Sequence, residues 1–167
     1  GKYIAPQVIE NKFKESFFIE QLMVMGENKK FASALISPNF EFLHDWCSIH
    51  KIQYRDNKEL VNHPDVIARY QKEVSKYNQD LGETEKIKRF RLVCEEWSAD
   101  TGELSPTQKL KRDVISEKYR DLIGEIYQMP GKKNGSHLID LPRKTVRGIK
   151  HGLKQGLNSI KKNVPRI

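Results

Sequence analysis

The sequence predicts an α+β fold, a small and mostly antiparallel sheet packed by helices, followed by a basic tail with a helical reading open to it. Three observations lead there. Apolar residues recur at spacings of three and four in segments that open on Pro or on a capping residue, the mark of amphipathic helices. Other segments are short, β-prone and bounded by Gly, Asn or Pro, the mark of strands and hairpins. Charge divides the chain: residues 1–127 carry 20 Lys and Arg against 21 Asp and Glu, whereas residues 128–167 carry 10 against one. The domain is therefore placed at 1–127, with a basic linker and amphipathic tail at 128–167.

Pro6 suits the first turn of a helix, where its missing N–H costs little, and Ile9, Phe13 and Phe17 continue one apolar stripe. Phe18 to Met25 and Phe31 to Ser37 flank the polar turn Gly26 to Lys30, which predicts a hairpin ended by Pro38. Asn39 is placed to cap a helix whose inner face is Phe40, Leu43 and Cys47. Residues 51–63 read as a loop with a short helical turn. Pro64 opens a longer helix with Ile67, Tyr70, Val74, Tyr77 and Leu81 inward, stopped by Gly82. Lys86 to Cys94 alternates, with Arg89 and Arg91 opposite Phe90 and Leu92, as in a half-buried strand. Asp100 to Glu103 reads as a turn and Ser105-Pro106-Thr107 as extended chain. One helix is expected from about Arg112 to Tyr127, with Ile115, Tyr119, Leu122 and Ile126 inward.

Composition narrows the function. The hydrophobic share of 37% and charged share of 31% fit a soluble domain with a real core. No apolar run approaches the roughly 20 residues that span a bilayer. No signal-peptide pattern is readable at Gly1, and without an initiator Met the chain reads as a fragment. Cys47 and Cys94 lack a CxxC pattern and read as reduced thiols. The five histidines show no metal-ligand spacing, and no Walker-type phosphate loop is present. The near-neutral body does not fit a general nucleic-acid binder.

Two segments carry more information. The opening Gly1 to Glu10 contains Gly1, Ile4, Pro6 and the pair Ile9-Glu10, and resembles the segment just after the hinge of adenylate-forming enzymes. Thr101 to Arg112 reads TGELSPTQKLKR and resembles the last motif of the long-chain acyl-CoA synthetases through Leu104, Pro106, Thr107, Lys109, Lys111 and Arg112. Ser105 stands where Thr is expected and keeps the hydroxyl. Gln108 stands where many short-chain relatives have Gly. Asn39 to Leu43 and Glu96-Trp97 also resemble the long-chain branch. The likeness covers residues 1–127, in the order and spacing of that family's C-terminal lid domain.

The resemblance implies an ATP-dependent, AMP-forming long-chain fatty acid–CoA ligase. Its first half-reaction joins two anions, a carboxylate and the α-phosphate of ATP, and a cation between them stabilises the transition state. Lys109 matches the lysine that supplies it. Gly1, Lys2 and Tyr3 match the segment that lines the CoA channel in the second half-reaction. Lys111 and Arg112 are expected to hold phosphate, CoA or an acidic partner surface loosely, or to form a solvated helix start. Glu10 reads as a structural carboxylate. ATP and Mg²⁺ would be bound mainly by an N-terminal domain, the partner of this one, so the chain alone is expected to be inactive. The implied location is cytoplasmic.

The tail admits another class of function. If helical, Val146, Ile149, Leu153, Leu157, Ile160 and Val164 form one stripe among basic residues, suited to an anionic membrane surface. Gly148, Gly152 and Gly156 oppose this at about 1 kcal/mol each, leaving a solvated tail as the other reading. A stand-alone basic module binding membrane or nucleic acid through residues 128–167 is the alternative to the ligase.

Overall fold

The structure is a computed structural model that describes residues 4–128. The expectations on Gly1, Lys2 and Tyr3, and on the linker and tail, lie outside these residues. The element order is α1 (Pro6–Phe13), β1 (Ile19–Met25), β2 (Ala32–Pro38), α2 (Phe40–Ile49), α3 (Asn57–Val61), α4 (Pro64–Asn78), β3 (Ile87–Leu92), α5 (Arg112–Lys118) and α6 (Arg120–Gln128).

The α+β class stands. β1 and β2 form the expected antiparallel hairpin, with Leu22 opposite Ile36 and Val24 opposite Ala34. β3 then joins β2 in parallel, with Ala34 beside Phe90 and Ile36 beside Leu92, so the three-stranded sheet is mixed. A parallel return needs a long crossover, and α2, α3 and α4 supply it.

The central strand β2 is buried along its whole length because helices cover both faces of the sheet. Side chains alternate between the faces. Leu22, Val24, Ala34 and Ile36 meet Ile9 and Phe13 of α1, Leu43 and Cys47 of α2, and Tyr70 and Val74 of α4. Met23 and Leu35 point the other way, into a core with Val93, Trp97, Leu104, Ile115 and Ile126. That second core attaches the 101–112 segment to the sheet.

The Asn39 cap and the Pro6 helix start are as the sequence indicates, and Asp56 adds a cap to the short α3. Asn39 Oδ1 accepts from the Phe42 N–H at 3.2 Å, Asp56 Oδ1 from Glu59 N–H at 2.8 Å, and Pro6 sits in the first turn of α1. Among the described residues no helix is long and apolar enough to cross a membrane.

Four local expectations change. Phe17 lies beyond the end of α1, is 77% exposed and stacks on Phe42, so it does not continue the α1 stripe. α4 ends at Asn78, before Gly82, because the Asn78 side chain turns to β3, donating to Ile87 O and accepting from Ile87 N–H, each at 2.9 Å. Arg89 does not face open solvent: its guanidinium donates to Ile126 O at 2.8 Å and covers the Phe31 ring. The single helix expected after Arg112 breaks at Tyr119, whose backbone leaves helical geometry. Neither Pro nor Gly marks this break. Lys118 and Tyr119 are held from outside, by Glu95 and Glu103 and by Trp97 and Glu95 respectively.

Candidate functional site

Lys109 sits at the tip of a tight hairpin. Leu104 and Leu110 form an antiparallel bridge, Lys111 N–H donates to Glu103 O at 2.8 Å, and Ser105 N–H donates to Lys109 O at 2.8 Å. The tip closes with Gln108 N–H donating to Ser105 O at 2.8 Å. Ser105-Pro106-Thr107 is thus a turn rather than extended chain. Pro106 takes the second turn position, which its fixed φ favours. Gln108 takes a left-handed conformation, φ 66°, as the last residue of a three-residue hairpin loop does. Only Gly adopts that geometry without cost, so a glycine here would remove the strain that Gln108 bears. The Ser105 hydroxyl accepts the Lys109 N–H at 3.1 Å and lies 3.0 Å from the Thr107 hydroxyl. A hydroxyl at this position therefore has a structural use, which Ser and Thr both meet.

Both limbs of the hairpin are anchored by ion pairs. On the first limb, the buried Glu103 carboxylate accepts from Lys118 Nζ at 2.6 Å and from the Thr101 hydroxyl. Burial opposes its charge, but these bonds and backbone N–H groups outweigh burial and hold the carboxyl down at about 2. Burial likewise works against the Lys118 charge, yet Glu103 and Glu95 raise the ammonium above the ordinary lysine value. On the second limb, Arg112 makes a two-pronged bond to Glu10: Nη1 to Oε2 at 2.9 Å and Nη2 to Oε1 at 2.5 Å. The bond to Glu10 pushes the guanidinium further up, against the effect of burial. Glu10 is buried and also accepts Val24 N–H at 2.7 Å, so one carboxylate joins α1, β1 and the start of α5.

Between the hairpin and α1 lies a polar cleft lined by Gln7, Asn11, Lys14, Gln21, Gln108 and Lys109. Lys109 is exposed, and among the described residues its ammonium has no ion-pair partner within 4 Å. It is a cation on an ordered support, free to meet an anion brought from outside. Lys111 is also exposed, whereas the Arg112 guanidinium is already committed to Glu10. Ile4 packs over the β1–β2 turn, where a side chain on Gly26 would meet Ile4 Cδ1 at 2.5 Å. No group of three or more His, Cys, Asp or Glu among the described residues is arranged to hold a metal.

Comparison with known proteins shows the family of the chain. The family model described as AMP-binding enzyme C-terminal domain matches residues 1–130. The chain belongs to that family. Its relatives include the long-chain-fatty-acid–CoA ligase FadD15 of Mycobacterium tuberculosis, 35% identical over 128 residues, which cover 76% of this chain and 21% of that protein. Long-chain-fatty-acid–CoA ligase 1 of Homo sapiens is 32% identical over 130 residues, 76% of this chain and 18% of that protein. This family member thus spans about a fifth of the length of these relatives. Among solved structures, the adenylation domain of a carboxylate reductase from Mycobacterium chelonae superposes with a TM-score of 0.61 at 19% identity, over 77% of this chain and 18% of that one. At that identity the likeness speaks for the fold alone.

The resemblance read from the two motifs is thereby borne out at the level of the family. Sequence reasoning classed Glu10 as structural but did not pair it with Arg112. The signal was present in both motifs, one ending in Glu10 and the other in Arg112, yet nothing local connects residues 102 positions apart.

Proposed function

We propose that this is the C-terminal lid of an AMP-forming long-chain fatty acid–CoA ligase, acting with an N-terminal adenylation domain. The observation that carries the reading is Lys109, exposed and without an ion-pair partner among the described residues, at the tip of a hairpin anchored on both limbs, in a family member whose relatives are long-chain-fatty-acid–CoA ligases. ATP supplies the leaving pyrophosphate when the fatty acid carboxylate attacks its α-phosphate. Lys109 reaches between these two anions and offsets the charge that gathers there. Its long stem places the ammonium outside the domain, and the fixed turn limits where that stem can swing.

Lys111, exposed two residues on, offers a second charge to phosphate groups at the domain boundary. Gly1, Lys2 and Tyr3 are assigned to the CoA channel of the thioester-forming state, on the motif they match. ATP and Mg²⁺ are assigned mainly to the N-terminal domain. The near-balanced charge of residues 1–127 favours this reading over a stand-alone basic module, which rests on residues 128–167 alone. The location that goes with it is cytoplasmic, with the basic tail as the route to a membrane surface.

The test compares the full-length enzyme, the 167-residue chain and the enzyme lacking residues 1–128. With ATP, CoA and a long-chain fatty acid, the full-length enzyme forms AMP and acyl-CoA, and the other two form neither. Full turnover by the enzyme lacking residues 1–128 would refute the lid assignment.

A further inference from the structure

We propose that the Glu10–Arg112 pair is a positioning device for Lys109, an inference that rests on the adenylation role just assigned to that lysine. Arg112 follows Lys109 by three residues, at the point where the second limb of the hairpin becomes α5. Its guanidinium meets both carboxylate oxygens of Glu10, at 2.9 and 2.5 Å. Glu10 in turn is fixed by α1 and by the Val24 N–H at 2.7 Å. The first limb is fixed independently through Glu103 and Lys118.

Lys109 therefore hangs between two ion pairs that attach to different parts of the fold. Releasing the Arg112 anchor leaves the tip held on one side only. Glu10 closes the Gly1 to Glu10 segment, which resembles the stretch just after the family's hinge, so the pair ties the lysine to the start of the lid. Arg and Lys are not equivalent in this place. The planar fork matches a carboxylate at two points, and an ammonium matches it at one. A misplacement of about 1 Å at a reacting group can cost about a hundredfold in rate.

The experiment uses the full-length enzyme and two separate half-reactions: fatty-acid-dependent exchange of pyrophosphate into ATP, and thioester formation from supplied acyl-adenylate. The variants are Glu10→Gln, Arg112→Lys, Lys109→Ala and each of the first two combined with the third. Glu10→Gln and Arg112→Lys are each expected to cut the exchange kcat by about tenfold to a hundredfold. ATP KM and thioester formation should stay within about twofold of wild type. In the Lys109→Ala background neither substitution should slow exchange by more than about twofold again, because there is no lysine left to position.

Equal loss in both half-reactions, or an undiminished extra loss in the Lys109→Ala background, would reduce the pair to a stabilising contact and overturn the proposal. Wild-type exchange by Lys109→Ala would remove the lysine's role itself. Collapsed exchange by Lys109→Ala with normal exchange by Glu10→Gln and Arg112→Lys would remove the positioning role alone. Hydrogen exchange on the 167-residue chain separates loosening from unfolding. In Arg112→Lys the Ser105 and Lys111 amides should lose about tenfold or more of their protection while amides of α4 keep theirs. Equal loss in α4 would count against the proposal.

Discussion

Glu103→Gln is expected to destabilise the domain in a pH-dependent way. The Glu103 side chain is 0% exposed and contacts Lys118 Nζ at 2.6 Å. Its carboxyl is held at about 2 against an ordinary value of 4.5. At about 1.4 kcal/mol per pH unit this drop corresponds to about 3 kcal/mol. Lys118 is 36% exposed, and solvent screening of the pair brings the expected loss to about 2 kcal/mol near neutral pH. The carboxyl is depressed in the folded state, so the stabilisation is complete above the ordinary value of 4.5 and fades as pH falls toward about 2. Glutamine keeps the shape and an acceptor for Thr101, so packing is little changed. Urea unfolding of the 167-residue chain, followed by circular dichroism from about pH 7 down to about pH 3, gives the difference between wild type and variant. The gap should stand at about 2 kcal/mol near pH 7 and shrink by about half or more by about pH 3. A gap of the same size at every pH would refute the electrostatic argument, and the absence of a gap near pH 7 would refute the anchor.

Two further substitutions probe packing and backbone. Tyr70→Phe removes a fully buried hydroxyl that donates to Phe18 O at 2.6 Å, but that carbonyl keeps the Asn39 N–H at 3.0 Å. The expected cost is therefore only about 1 kcal/mol, read as a lower urea midpoint with an unchanged slope. Gln108→Gly relieves a left-handed conformation worth about 1 kcal/mol and gives back about as much in chain entropy, so stability should change by less than about 0.5 kcal/mol. Gln108→Val, with a β-branched side chain at φ 66°, should lose about 1 kcal/mol or more; equal stability of the Gly and Val variants would contradict the assigned turn geometry.

Much of the fold was legible because its signals are local. Pro6, Asn39 and Pro64 mark helix starts through their own chemistry, and the Gly26 to Lys30 turn sets the β1–β2 hairpin. Local signals do not report which strand lies beside which. Nothing in Lys86 to Cys94 says that β3 pairs in parallel, because that follows from the crossover and from cover on both faces. The break at Tyr119 was hidden for a similar reason, since distant side chains impose it on a sequence without Pro or Gly. Phe17 followed the α1 stripe by spacing, but the chain leaves the helix at Phe13 to reach β1.

The site divides along the same line. Lys109 is singled out only by the motif around it, and the structural use of Ser105 follows from the hydroxyl it shares with Thr. The left-handed Gln108 was visible only as a departure from glycine. The Glu10–Arg112 bond is a tertiary contact, and it gives Arg112 a structural partner that no local signal announces.

The central claim is that Lys109 serves adenylate formation. The most direct measurement is fatty-acid-dependent pyrophosphate exchange by full-length Lys109→Ala, beside thioester formation from supplied acyl-adenylate by the same protein. The account predicts that exchange falls by at least about a hundredfold while thioester formation stays near wild type. Exchange at the wild-type rate would show that the lysine at the hairpin tip is a bystander and would contradict the account.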